Sequence, residues 1–152
     1  MVAPATELGI NLRLLAQDSN ESAAQICDHF VGEASDADAV LHFARTCDVV
    51  TFEHEQVPQS VIKHLENNGI KVYPRSESFI YSQNKVEMRT KMDELGLPNP
   101  EWQKYVGGEV NLSYPLIAKT ITGGYDGRGV FVITSLDELD ELFNEIGQPL
   151  LL

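Results

Sequence analysis

The sequence predicts an α/β fold: a parallel sheet covered by helices over residues 1–75, then an α+β unit over residues 76–152. Three observations predict it. Short apolar, β-branched runs alternate with helical-period stretches between Asn11 and Pro74, and a β-α-β-α-β alternation calls for parallel strands joined by helical crossovers. A second organisation begins near Ser76, where helices come first and strands follow. Within it, the loop Gly123-Gly124-Tyr125-Asp126-Gly127-Arg128-Gly129 joins two β-rich runs.

In chain order, a helical stretch opens the sequence and leads to a strand at Asn11–Leu15. Residues Asp36 to Thr46 place Ala37, Val40, Leu41 and Ala44 at helical spacing. Asp48–Phe52 reads as a buried strand. Pro58 opens the next helix, whose stripe is Val61, Ile62 and Leu65 and whose stop is Gly69. Lys71–Pro74 is a further short strand. Past Ser76, a short helix to Ile80 precedes a longer one from Gln83 to Leu95, which Gly96-Leu97-Pro98-Asn99-Pro100 breaks. Strands follow at Glu101–Val106, at Pro115–Lys119 and at Val130–Ile133. Ser135 and Glu138 have the spacing of a capping box for a helix through Ile146. Gly147-Gln148-Pro149 ends it, and Leu150-Leu151-Leu152 starts another strand. Both ends read as truncated: the first strand expected of an α/β unit is missing, and the chain stops inside an apolar run.

Composition narrows the function classes. The chain has 152 residues, 43% hydrophobic and 22% charged, with a formal net charge of −12, a balance that disfavours broad nucleic-acid or anionic-membrane binding. Cys27 and Cys47 lack metal-ligand spacing, and two isolated thiols fit a reducing compartment, the cytoplasm. There is no apolar run long enough to span a bilayer, and Met1–Leu8 lacks the basic start and apolar core of a signal peptide.

The glycine loop carries the chemistry. Glycines let a backbone turn sharply and come close to a ligand, and the exposed N–H groups suit phosphate oxygens. Lys119, at the end of the preceding strand, adds a point charge. The loop is not a P-loop, since no Lys-Ser/Thr pair opens a helix after it, and not a dinucleotide fingerprint, since a strand follows it. Lys85 and Arg89, at i and i+4, share a helix face that either reaches a phosphate or is merely solvated. Arg128 either forks onto an anion or pairs with Asp126. Glu53 and Glu55 follow a strand's carboxyl end and, in an extended chain, point the same way. They suit an amine, ribose hydroxyls or a metal, or else form a solvated loop, with His54 pointing the opposite way. His29, His42 and His64 have no partner at ligand spacing.

The segments DVVTFEHEQVP, YSQNKVEMRTKMDELGLPNPEW and LIAKTITGGYDGRGVFVI together resemble the 5-(carboxyamino)imidazole ribonucleotide synthetases, a branch of the ATP-grasp superfamily. The resemblance runs over nearly the whole chain. It implies an incomplete Rossmann-like pre-ATP-grasp domain followed by the small lobe of an ATP-grasp domain. It also implies a ligase of purine biosynthesis that uses ATP, Mg2+ and bicarbonate to carboxylate 5-aminoimidazole ribonucleotide through carboxyphosphate, as a cytoplasmic homodimer. By resemblance, Lys85, Lys119 and Gly124, Tyr125, Asp126, Gly127, Arg128, Gly129 and Val130 bind ATP. Glu53 and Glu55 form a wall of the ribonucleotide site, and Tyr125 and Asp126 approach the substrate and the carboxyphosphate. Val130 stands where the family often has Gln, and His54 where an aromatic residue is common. No metal ligand is carried over, because the acidic ligands lie in a part of the family's length that this sequence does not match. The expectation is that these residues alone do not turn over. The other readings are a glycinamide ribonucleotide formyl-transferring or biotin-carboxylase-like ATP-grasp enzyme, or a non-catalytic nucleotide-binding module.

Overall fold

A computed structural model describes residues 2–124 and 127–152. The chain divides into two compact units, Met1–Phe79 and Ile80–Leu152, and the helix α4 (Ser76–Gln83) runs across the division.

The first unit contains α1 (Val2–Glu7), β1 (Arg13–Ala16), β2 (Asp28–Val31), α2 (Ala37–Ala44) and α3 (Gln59–Asn67). β1 and β2 are parallel, with Arg13 opposite Asp28 and Ala16 opposite Val31. The register is marked by an ion pair, Arg13 Nε to Asp28 Oδ2 at 2.8 Å. Sequence reading missed β2, because Asp28-His29-Phe30-Val31 offers only two apolar side chains and an exposed start. The expected strands at Asp48–Phe52 and Lys71–Pro74 shrink to one parallel bridge, Val50 to Val72. Val50 N donates to Lys71 O and Tyr73 N donates to Val50 O, both at 2.9 Å. The pairing stops there, because Pro74 has no N–H to give and the other segment bends at Glu53.

The two crossover helices form as their apolar spacing predicts. Asp36 caps α2 by accepting from Asp38 N and Ala39 N, which satisfies donors that the first turn leaves without partners. α3 follows Pro58, and Gly69 takes the left-handed φ of +77° just beyond its end. Val40, Leu41 and Ala44 of α2 and Val61, Ile62 and Leu65 of α3 build the core, with Val50, Val57, Val72 and Phe79.

Glu66, near the end of α3, holds the start of α4. Its carboxylate accepts from Ser76 Oγ at 2.6 Å and from Ser76 N at 2.8 Å. These bonds, the hydroxyl's first, hold the Glu66 carboxyl below its ordinary pKa of 4.5. A carboxyl depressed on folding contributes stability above its unfolded pKa and loses it as the pH falls through the folded one. Thermal melts across this acid range should therefore show a steeper loss for the wild type than for Glu66→Gln; equal slopes would show that the bond does not carry this stability.

The second unit contains α5 (Lys85–Glu94), β3 (Lys104–Tyr105), β4 (Leu116–Thr120), β5 (Val130–Ile133), α6 (Leu136–Ile146) and β6 (Leu150–Leu151). Its sheet runs β3-β6-β4-β5 and is antiparallel throughout. Ser135 Oγ caps α6 by accepting from Glu138 N. The Glu138 carboxylate reaches back to Thr134 N and Oγ, both at 2.8 Å, one residue before the N-cap rather than to Ser135 itself. Gly147, at φ 68°, ends the helix as expected.

Strand alternation gives this sheet two unlike faces. Tyr105, Leu116, Ala118, Ile133 and Leu150 point into the core, where Leu139 and Phe143 of α6 meet them. The Tyr105 hydroxyl donates to the Asp140 carboxylate, and burial, aided by that carboxylate, pushes the phenol's pKa up. The other face carries Lys104, Ile117, Lys119, Val130, Val132 and Leu151, of which Val132 is 68% exposed.

Candidate functional site

The strand β4 leads into the glycine loop, and two of the predicted cations of the second unit, Lys119 and Lys85, lie on β4 and against the loop's start. Lys119 sits on the open sheet face between Val130 of β5 and Leu151 of β6. It is half-buried, and its ammonium has no hydrogen bond or ion pair to any described residue.

Lys85 arrives from the helix side. Asn84 makes an antiparallel bridge with Thr122, and Lys85 N donates to Ile121 O at 2.9 Å. Asn84 Oδ1 also caps α5, accepting from Val86 N at 3.0 Å and Glu87 N at 3.1 Å. The Lys85 ammonium then donates to Gly123 O at 3.0 Å. The start of α5 is thus stitched to Ile121, Thr122 and Gly123. One ammonium group, a helix start and the loop's backbone lie together, a combination suited to phosphate oxygens, and Lys119 stands on the strand that leads into the loop.

The glycines do different work. Gly123 and Gly127 have left-handed φ values of +68° and +82° with open space where a Cβ would go. Gly124 and Gly129 have no such space. A Cβ on Gly124 would lie 2.5 Å from Arg128 O and 3.2 Å from Thr120 Oγ1, and one on Gly129 would lie 2.6 Å from Thr120 Oγ1. Both glycines close over Thr120, whose N–H donates to Gly129 O at 3.0 Å. The Thr120 hydroxyl beneath them is buried and has no hydrogen-bond partner among the described residues. A buried hydroxyl left without one costs about 1–3 kcal/mol.

Arg89 is not part of this arrangement. Its guanidinium donates to Asn99 Oδ1 at 2.7 Å, and the Asn99 amide donates back to Arg89 O and to Asp93 Oδ1. Trp102 Nε1 donates to the other Asp93 oxygen at 2.8 Å. The bonds from Asn99, then from Trp102, hold the Asp93 carboxyl below its ordinary pKa. Of the two i, i+4 cations, Lys85 reaches the loop, and Arg89 ties α5 to the chain that follows it.

In the first unit the segment after Phe52 turns instead of staying extended, so the alternation expected of Glu53, His54 and Glu55 does not apply. Glu53 is exposed and Glu55 half-buried. A cleft of about 270 Å³ at the carboxyl ends of β1 and β2 is lined by Gln17, Glu33, His54 and Gln56, among others, and not by either of the paired glutamates. His54 Nδ1 accepts from Gln56 N at 3.1 Å.

The family profile of the ribonucleotide synthetase preATP-grasp domain matches residues 1–83. The chain belongs to this family. The preATP-grasp protein is also similar, over all of its length, to the N5-carboxyaminoimidazole ribonucleotide synthase of Synechococcus elongatus, at 34% identity, and covers 41% of that relative. Among solved structures, an N5-carboxyaminoimidazole ribonucleotide synthetase in complex with ADP superposes with a TM-score of 0.85 at 29% identity, covering 98% of this chain and 41% of its own. The Aspergillus clavatus N5-carboxyaminoimidazole synthase, solved with ADP and 5-aminoimidazole ribonucleotide, gives 0.78 at 25% identity, covering 99% and 41%. The chain thus spans about two fifths of the length of the relatives it matches.

Within this preATP-grasp protein, Lys85, Lys119, Gly124, Gly127, Gly129 and Val130 lie on or beside one loop and its two strands. Arg128 is exposed on the same loop. Tyr125 and Asp126 lie outside the described residues. Among the described residues no three His, Cys, Asp or Glu stand where they would hold a metal ion. Two participants escaped sequence reading. Asn84 was legible as a cap residue just before a helical stretch. Thr120 had only its place two residues from the core-facing Ala118 to mark it.

Proposed function

We propose that this chain carries the phosphate-binding part of an ATP-dependent carbon–nitrogen ligase that carboxylates 5-aminoimidazole ribonucleotide with bicarbonate, in purine biosynthesis. The observation that carries the reading is the Lys85 ammonium on Gly123 O of a loop in which Gly124 and Gly129 are sterically required, with Lys119 on the strand that leads into it. Phosphoryl transfer is governed by positioning and by neutralising the charge on the transferring group. Lys119, half-buried beside an apolar sheet face, supplies charge where water screens it less, and Lys85 supplies a second cation at the mouth of the loop. The exposed apolar side chains Ile117, Val130 and Val132 suit a nucleotide's uncharged parts. The names of the similar proteins support the substrate, and the ADP complexes support the nucleotide.

Glu53 and Glu55 belong, in this reading, to the wall of the ribonucleotide site, and Tyr125 and Asp126 to the part of the loop that approaches the carboxyphosphate. ATP enters as its magnesium complex. The working enzyme is a cytoplasmic homodimer.

Calorimetric titration with Mg·ATP tests the reading, with Lys119→Ala beside the wild type. Saturable binding is expected in the wild type, and about tenfold to a hundredfold weaker binding in the variant, the range for a hydrogen bond to a charged group. Equal affinity in the two, or no binding by a wild type that circular dichroism shows to be folded, would overturn the assignment.

A further inference from the structure

The helix α5 carries Lys85, yet the apolar core does not hold it. None of its ten residues is buried. Val86, Met88 and Met92 are half-buried, and none of the three belongs to the core that α6 covers. A helix of this length has little stability of its own, so its ties to the rest of the unit set where it lies. At its start those ties are the bridge from Asn84 to Thr122 and the bond from Lys85 N to Ile121 O. Further along they converge on Asn99. The Asn99 amide donates to Arg89 O at 3.0 Å and to Asp93 Oδ1 at 2.7 Å, and its oxygen accepts from Arg89 Nη1 at 2.7 Å. Trp102 Nε1 bonds the second Asp93 oxygen. Asn99 thus grips the backbone and two side chains of α5 from outside the helix.

We propose that Asn99 is a positioning residue of the nucleotide site: by holding Arg89 and Asp93 it fixes the rotation of α5, and with it the Lys85 ammonium at Gly123 O. The proposal rests on the nucleotide reading above. Apolar packing is non-directional, whereas hydrogen bonds are sensitive to angle, so the grip of Asn99 sets how α5 is turned about its axis. Arg89 and Lys85, one turn apart, share a face of the helix. Turning that face away from Asn99 would therefore turn Lys85 away from the loop. Asn99 acts on the nucleotide only through Lys85.

A double-mutant cycle tests this, with Mg·ATP affinity measured by calorimetry for the wild type, Asn99→Ala, Lys85→Ala and the double variant, each shown by circular dichroism to be folded. Asn99→Ala should bind roughly fivefold more weakly, the effect of one ordinary hydrogen bond, and Lys85→Ala about tenfold or more, the effect of one to a charged group. The double variant should bind within about twofold of Lys85→Ala, since residues that act through one another are not additive. A merely structural role for Asn99 would cost the same about fivefold in both backgrounds, and that result would overturn the proposal. Wild-type affinity in Asn99→Ala beside a loss in Lys85→Ala would overturn it too and leave the nucleotide reading standing. If Asn99→Ala does not fold, Arg89→Met, which takes the guanidinium from the Asn99 oxygen, replaces it in the same cycle under the same criteria. No binding by the folded wild type would remove the nucleotide reading and this proposal with it.

Discussion

Gly124→Ala abolishes nucleotide binding while the second unit stays folded. At φ +73° an L-residue pays about 1–2 kcal/mol for its backbone alone. The larger effect is steric. The added methyl would lie 2.5 Å from the Arg128 carbonyl oxygen, and a carbonyl cannot rotate aside as a long side chain would. The loop must take another path, and the N–H groups that would face phosphate go with it. Gly123→Ala is the matched control: its φ is +68°, but nothing lies within 4 Å of the new Cβ, so it should lose affinity far less. Titration of both variants with Mg·ATP, with circular dichroism to check folding, decides the matter. Similar affinities in the two would show that the closeness of Gly124 to Arg128 plays no part.

Leu139→Ala should unfold the second unit at a much lower temperature. Leu139 is completely buried and is the residue by which α6 reaches the core under β4 and β5. Truncating a leucine in such a place costs about 2–5 kcal/mol, through lost burial and the cavity left behind. In a unit of this size each kcal/mol lowers the midpoint by about 4–8 °C. Trp102, the only tryptophan, bonds Asp93 within this unit, so its fluorescence follows the transition directly. A midpoint shift below about 4 °C would mean that Phe143 and Ile146 close the gap and that Leu139 is not the anchor.

The fold was legible where one physical signal dominated. α2, α3 and α6 follow from apolar spacing and from caps at Asp36 and Ser135. β4 and β5 follow from apolar runs on either side of the glycines. Local sequence failed where pairing is decided by distant partners. β2 exists because Asp28 meets Arg13 and because the crossover places it beside β1, and its own four residues do not announce it. The segment around Val50 looks like a strand in isolation, but only one residue finds a neighbour. At the site, Lys119 and the loop could be read from their order in the chain. Helical spacing could not choose between Lys85 and Arg89, since it puts both on one face; only the resemblance singled out Lys85, and the physical reason, Asn99 engaging Arg89, lies in the fold.

The double stitch between Asn84–Lys85 and Ile121–Thr122 has a thermodynamic consequence. A flexible lysine recruited from solvent would lose much of its rotational freedom on meeting a phosphate. Here the backbone of Lys85 is held by the stem of the loop, and its ammonium already rests on Gly123 O. Most of that ordering is completed when the unit folds. Binding then exchanges one oxygen acceptor for another, and mutations that loosen the stitch should weaken affinity through entropy, with the cation itself still present.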